Sequence, residues 1–254
     1  MDLTREALEF IQGMGGPSLV ECEGEYYADK PLTRIPKFKY PKELRVSTLS
    51  SMLDYIESNL DSLREDAGRF IIHVSSPTTV QLISELDNDM KRRQIMSAQA
   101  VLPDIYIGQY IEREQFQIQL ASCFENAEEL NTDNALLLNL ISNVQAGTIS
   151  SYSDSGMSQK ATIIKGIMNE KQDVKIPNPV TLAPYRTFID IMQPASAFIF
   201  RMKDRECGEN EKAIYCGLWE ADGGAWKIQA VNNIKEYFRS KLNDDISEDF
   251  VIIG

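Results

Sequence analysis

The chain has 254 residues, of which 43% are apolar and 25% charged, values ordinary for a globular protein long enough to bury its own core. A formal net charge of −12 argues against a general nucleic-acid binder, whose affinity comes from neutralising phosphates. The longest apolar runs, such as residues 135–141, are too short to span a bilayer, and the acidic start MDLTREALEF is not a secretory signal, so no membrane partner and a cytoplasmic location are expected.

Leu3, Ala7, Phe10 and Met14 recur at helical spacing, and GMGG at 13–16 stops that helix. From Pro17 to Arg45 periodicity is lost, and the segment reads as an arm or long loop. Its distinctive part is KPLTRIPKFKYPKELR at 30–45. There Lys30, Arg34, Lys37, Lys39, Lys42 and Arg45 stand against one acid, Glu43, with Pro31, Pro36 and Pro41 punctuating the run and Phe38 and Tyr40 between the last two prolines. Proline at this spacing disfavours helix and suits an extended course.

Thr48 is placed to cap a helix whose apolar face is Leu49, Met52, Leu53, Ile56, Leu60 and Leu63. Past Gly68, RFIIHVS, TTVQLISEL and QIMSAQAVL read as three strands. Residues 112–124 fit two periods. FQIQL alternates as a strand, while Phe116, Leu120 and Phe124 form a helical stripe, and helix is favoured. Thr132 or Asp133 caps a further helix through NALLLNLISNVQAG, and TISSYSDSGMSQKATIIKG reads as a hairpin around Asp154–Gly156.

The last third is expected to be mainly strands: TFIDIM, AFIFRMK, and AIYCGLWE turning at ADGG into AWKIQA. A final helix over 231–242 aligns Ile234, Tyr237, Phe238 and Leu242. Acidic NDDISED then precedes apolar FVIIG, a tail that docks on its own subunit or the next. The expected fold is α+β, with a mixed, mainly antiparallel sheet, three to five helices and an extended N-terminal arm. Residues 1–45 form the N-terminal helix and basic arm, and 46–254 one α+β domain, with a subdivision near 147 as the alternative.

Catalytic patterns are weak. GMGGPS lacks the Lys-Ser/Thr of a phosphate loop and follows a helix instead of a strand. Lys160 does not stand at the SxxK spacing from the serines of SSYSDSGMSQK, so that segment reads as a solvated recognition loop. The acid pairs Glu112/Glu114 and Glu128/Glu129, and the cluster Asp244, Asp245, Glu248 and Asp249, read as helix surface or solvated tail. Cys22, Cys123, Cys207 and Cys216 form no CxxC pair and are read as reduced and mostly buried. The single histidine, His73, sits in a strand, and no metal or cofactor is expected.

IPNPVTLAPYRTFIDIMQPASAFIFRMK at 176–203, with DSGMSQ before it and LWEADGGAWKIQAVNNIKEYF after it, resembles the YfdQ-like family of phage and prophage proteins, a domain of unknown function. The likeness extends more weakly to the helix at 48–66. One departure is SDSG, where a more acidic turn is expected. The resemblance implies a phage or prophage origin and the cytoplasm of a bacterial host, and brings no activity with it.

The reading is therefore a non-enzymatic, self-associating structural protein, with a capsid-like shell subunit as architectural analogy. Its arm residues Lys30, Arg34, Lys37, Phe38, Lys39, Tyr40, Lys42 and Arg45 are read as gripping a neighbouring subunit, with a lash over the chain's own acidic body as the alternative. Asp154, Ser158, Lys160, Tyr185 and Arg186 are the ligand or interface candidates, Arg186 because its planar fork suits a buried or interfacial carboxylate. The alternatives are an accessory protein of phage DNA replication or recombination that binds single strands through the arm, and a counter-defence binding protein.

Overall fold

A computed structural model describes residues 19–22, 25–28, 42–58, 69–87, 90–126, 130–146, 149–151, 159–165, 170–207 and 212–254. The chain divides into two compact units, Met1–Lys42 and Glu43–Gly254. In the first, β1 (Leu19–Cys22) and β2 (Glu25–Ala28) pair as an antiparallel hairpin, Leu19 opposite Ala28. The strand formers Val20, Tyr26 and Tyr27 thus give regular structure to a stretch whose sequence reads as a loop. The expected helix ending at GMGG lies outside the described residues.

The second unit starts earlier than the sequence boundary of 45/46 because β3 (Leu44–Val46) belongs to its sheet. In chain order follow α1 (Leu49–Glu57), β4 (Phe70–Ser76), β5 (Thr79–Ser84), β6 (Gln94–Gln99), β7 (Tyr110–Glu112), α2 (Arg113–Ser122) and α3 (Asn134–Asn143). Then come β8 (Ser150–Ser151), β9 (Gln159–Lys165), β10 (Glu170–Lys175), β11 (Val180–Leu182), β12 (Ser196–Glu206), β13 (Lys212–Glu220), α4 (Trp226–Lys241), α5 (Asp244–Ser247) and β14 (Phe250–Ile253). The fold is α+β: a mixed five-stranded sheet ordered β14-β4-β5-β6-β3, an antiparallel four-stranded sheet ordered β11-β12-β13-β7, and a three-stranded one ordered β10-β9-β8.

Two hydrophobic cores organise this unit. The first lies on one face of the five-stranded sheet, where Phe70, Ile72, Val74, Val80, Leu82, Met96, Ala98 and Phe250 pack against Leu49, Met52, Leu53 and Ile56 of α1 and Ile234 and Phe238 of α4. Each Val, Leu, Ile, Phe or Met among them contributes about 1.5–3 kcal/mol on burial. The second joins Phe116 and Leu120 of α2 and Leu137 and Ile141 of α3 to Phe198, Phe200, Cys216 and Leu218 of the four-stranded sheet, with Ala161 and Ile163 of β9. Residues on both sides of position 147 serve this second core, so a cut there separates neither core from the other.

The ambiguous stretch at 112–124 is helical, since Phe116 and Leu120 drop into the second core together. Asp133 is the N-cap of α3, yet its carboxylate does not bond the helix. It accepts instead from the backbone N–H of Thr181 at 2.7 Å.

Two expected strands are something else. TFIDIM is an irregular turn, because Phe188 and Ile191 both enter the first core while Ile189 is left exposed. AWKIQA is the first part of α4. The Asp222 carboxylate accepts from the N–H of Gly224 (3.1 Å) and Trp226 (3.4 Å), and Gly223 and Gly224 take φ of 65° and 83°, which starts a helix instead of closing a hairpin.

Candidate functional site

The loop between β11 and β12 is the junction of the two cores, with Phe188 and Ile191 in the first and Leu182 and Phe198 on either side of it in the second. Its Arg186 is buried. One Nη donates to Glu220 Oε1 at 2.9 Å, and the other to Ser196 Oγ at 2.6 Å and to the Pro194 carbonyl at 3.3 Å. The guanidinium lies 4.1 Å from the Trp226 ring centroid and 5.5 Å from that of Phe198. Burial lowers the arginine's pKa, against the opposing pull of the Glu220 and Asp222 charges. The carboxylate that Arg186 was expected to find is therefore Glu220. Arg186 Nε and Trp226 Nε1 are buried donors without a hydrogen-bond partner.

Neighbouring side chains hold the loop. Buried Gln193 accepts from the N–H of Arg186 (3.0 Å) and Thr187 (3.2 Å) through Oε1, and donates from Nε2 to the carbonyls of Phe188 (3.0 Å) and Ile191 (3.2 Å). Its own N–H donates to Glu125 Oε2 at 2.6 Å. Thr187 Oγ1 donates to the Pro77 carbonyl in the β4–β5 turn. The Tyr185 N–H donates to the Cys123 carbonyl at 2.9 Å. These polar groups are spent on internal partners, which makes the junction a fastening between cores.

Of the other residues singled out in the sequence, Lys30, Arg34, Lys37, Phe38, Lys39, Tyr40, Asp154 and Ser158 lie outside the described residues. Lys42 is exposed, and Arg45, on β3, is exposed and paired with Glu43 at 2.6 Å. Lys160 is half-buried on β9, opposite Ser150 and Lys175 in the three-stranded sheet. The structure thus brings Tyr185 and Arg186 together and sets Lys160 on a separate element. Cys123, Cys207 and Cys216 are free thiols, with Cys216 buried, Cys123 half-buried and Cys207 exposed, so the expectation of mostly buried cysteines holds for Cys216 alone of these three. Burial pushes the Cys216 thiol up to about 12, against the charge of Arg113.

Strand order reveals a feature that composition does not. Edge strands expose unpaired backbone groups, and proteins guard them with charge, brevity or a cap. Among the described edge strands, β1 carries Glu21, β2 Glu25, β3 Arg45, β7 Glu112 and β10 several charges, while β8 has two residues. The edge β11 is capped at Thr181, whose N–H donates to the Asp133 carboxylate at 2.7 Å and whose carbonyl accepts from the Asp133 N–H at 2.8 Å. The exception is β14. It is Phe250, Val251, Ile252 and Ile253 without a charge, and no described residue pairs with its outer side.

Alternation turns Phe250 and Ile252 toward the first core and Val251 and Ile253 to the sheet's other face, where they are 38% and 43% exposed. Register then sets Val251 beside Ile71, and Ile71 beside Ile83, an apolar row across three strands that ends at the β14 edge. Along that edge runs a groove of about 660 Å³ lined by Arg69, Arg239, Leu242, Glu248 and Phe250–Ile252.

No helix among the described residues is long and apolar enough to cross a membrane. The chain matches no family model, no curated protein and no solved structure.

Proposed function

We propose that this chain is a self-associating structural protein with no catalytic role, and that copies join at the open edge of the five-stranded sheet. The observation that carries this reading is the contrast between β14, four apolar residues with exposed Val251 and Ile253, and the charged, short or capped edges elsewhere. An apolar edge left open on a folded protein pairs with another chain. The β11–β12 loop fits the same role, because its polar side chains stiffen the body between two cores. The basic segment 30–45 supplies a second grip, its six basic residues finding an acidic surface on any copy of a chain with net charge −12. A capsid-like shell subunit of phage or prophage origin, the source implied by the family resemblance, is the assembly class this reading favours.

Light scattering on the full chain across a concentration series tests it. The expected mass rises above 28.8 kDa in multiples of that value as concentration increases, and a constant 28.8 kDa up to high micromolar concentration would overturn the proposal.

A further inference from the structure

We infer that two copies join β14 to β14, antiparallel, about a two-fold axis at Ile252, so that their five-stranded sheets become one continuous sheet. This rests on the self-association reading and specifies its geometry.

The backbone sets the centre. Asp249 accepts from the Phe70 N–H through its carbonyl, so by the alternation of a strand residues 249, 251 and 253 address β4, while Phe250 and Ile252 turn their N–H and C=O groups outward. In an antiparallel pair, outward-facing residues exchange both hydrogen bonds. Ile252 facing Ile252 of a second copy is such a pair, and it lies on the axis that a symmetric dimer requires.

The side chains agree with this register. It sets Val251 opposite Ile253 of the second copy, twice, and so covers the two exposed apolar side chains of the strand with each other. Each row of Ile83, Ile71 and Val251 then runs on into Ile253 of the other copy. Glu248 and Asp249, with Arg69 and Arg239, mark the start of β14, and Lys235, whose ammonium donates to the Gly254 carbonyl at 3.2 Å, marks its end. Antiparallel pairing brings Lys235 of each copy beside Glu248 and Asp249 of the other. The groove beside Phe250–Ile252 leaves room for the incoming Ile253–Gly254.

The test is a charge exchange on the full chain. In Val251→Lys/Ile253→Lys every introduced lysine faces a lysine of the second copy, and in Val251→Glu/Ile253→Glu every glutamate faces a glutamate. Each variant alone is expected to dissociate at least about a hundredfold more readily than the native chain, and an equimolar mixture is expected to restore the dimer. Should either variant lose its native circular dichroism, Val251→Thr/Ile253→Thr, which keeps strand-forming side chains, is expected to weaken dimerisation by about tenfold. A native chain that is monomeric removes both this inference and the reading beneath it. A native oligomer unchanged by the substitutions, or a lysine–glutamate mixture that stays apart, overturns the β14 pairing while leaving self-association standing.

Discussion

Asp190 caps a helix that begins 141 positions earlier: its Oδ2 accepts from the Leu49 N–H at 2.9 Å, and its Oδ1 from the Ser50 N–H at 3.1 Å. The first turn of α1 is thus held by two side chains and three acceptor oxygens, since Thr48 Oγ1 also takes the Ser51 N–H at 3.2 Å. A local cap fixes where the helix starts. A carboxylate from the β11–β12 loop fixes where the helix sits.

Asp190→Ala is expected to lower stability in urea unfolding by about 1–2 kcal/mol, the range for a lost helix cap. Asp190→Asn keeps one acceptor and should lose less. Equal losses from the two would show that the carboxylate charge, not its geometry, does the holding.

Arg186 joins Glu220, Ser196 and Trp226 at the point where both cores meet. Arg186→Ala is expected to destabilise by about 2–4 kcal/mol, because it empties a buried site and leaves the Trp226 face uncovered. Arg186→Lys keeps the charge but not the planar fork and should lose about half as much. Glu220→Gln should lose under about 1 kcal/mol, since the Glu220 side chain is 37% exposed and water compensates it.

Gly217 lies inside β13, where an added Cβ would meet the Gln109 carbonyl at 2.7 Å and the Trp219 ring at 2.7 Å. Backbone on one side and a ring on the other leave little room to yield. Gly217→Ala is therefore expected to destabilise by about 1–3 kcal/mol in thermal or urea unfolding, as overpacking does.

Thiol reactivity separates the described cysteines. At pH 8 a disulfide reagent should label exposed Cys207 quickly and buried Cys216 only on unfolding. The same burial makes a pH prediction. The Cys216 thiol titrates at about 12 in the folded chain against 9.0 for an ordinary thiol, so above about pH 9 the unfolded chain releases a proton that the folded one keeps. Its contribution to stability is therefore complete below about pH 9 and is lost as pH rises toward about 12. Cys216→Ala should flatten that part of the pH–stability curve.

Local signals carried much of the fold. Thr48 followed by Leu49, Met52, Leu53 and Ile56 announces α1, and the long alternating runs of β12 and β13 are plain in the sequence. The misreadings have physical causes. Asp-Gly-Gly with positive φ serves a hairpin and a helix start alike, and the deciding sign was the four-residue recurrence of Trp226, Ala230, Ile234 and Phe238. TFIDIM looks like a strand because its apolar residues are adjacent, yet its course is set by Asp190 and Thr187 bonding to distant partners and by Gln193 bonding back across the turn. The apolar run at 250–253 was visible as a docking tail. That no described residue pairs with its outer side depends on strand order, and its parallel place beside β4 joins residues some 180 positions apart in sequence.

Hydrogen exchange at β14 tests the joining of copies at this edge most directly. The outward-facing amides of Phe250 and Ile252 should exchange slowly in the concentrated native chain and progressively faster on dilution, while amides within β4 and β5 stay protected throughout. Equal, fast exchange of Phe250 and Ile252 at every concentration would mean that nothing pairs with the edge, and would contradict the account.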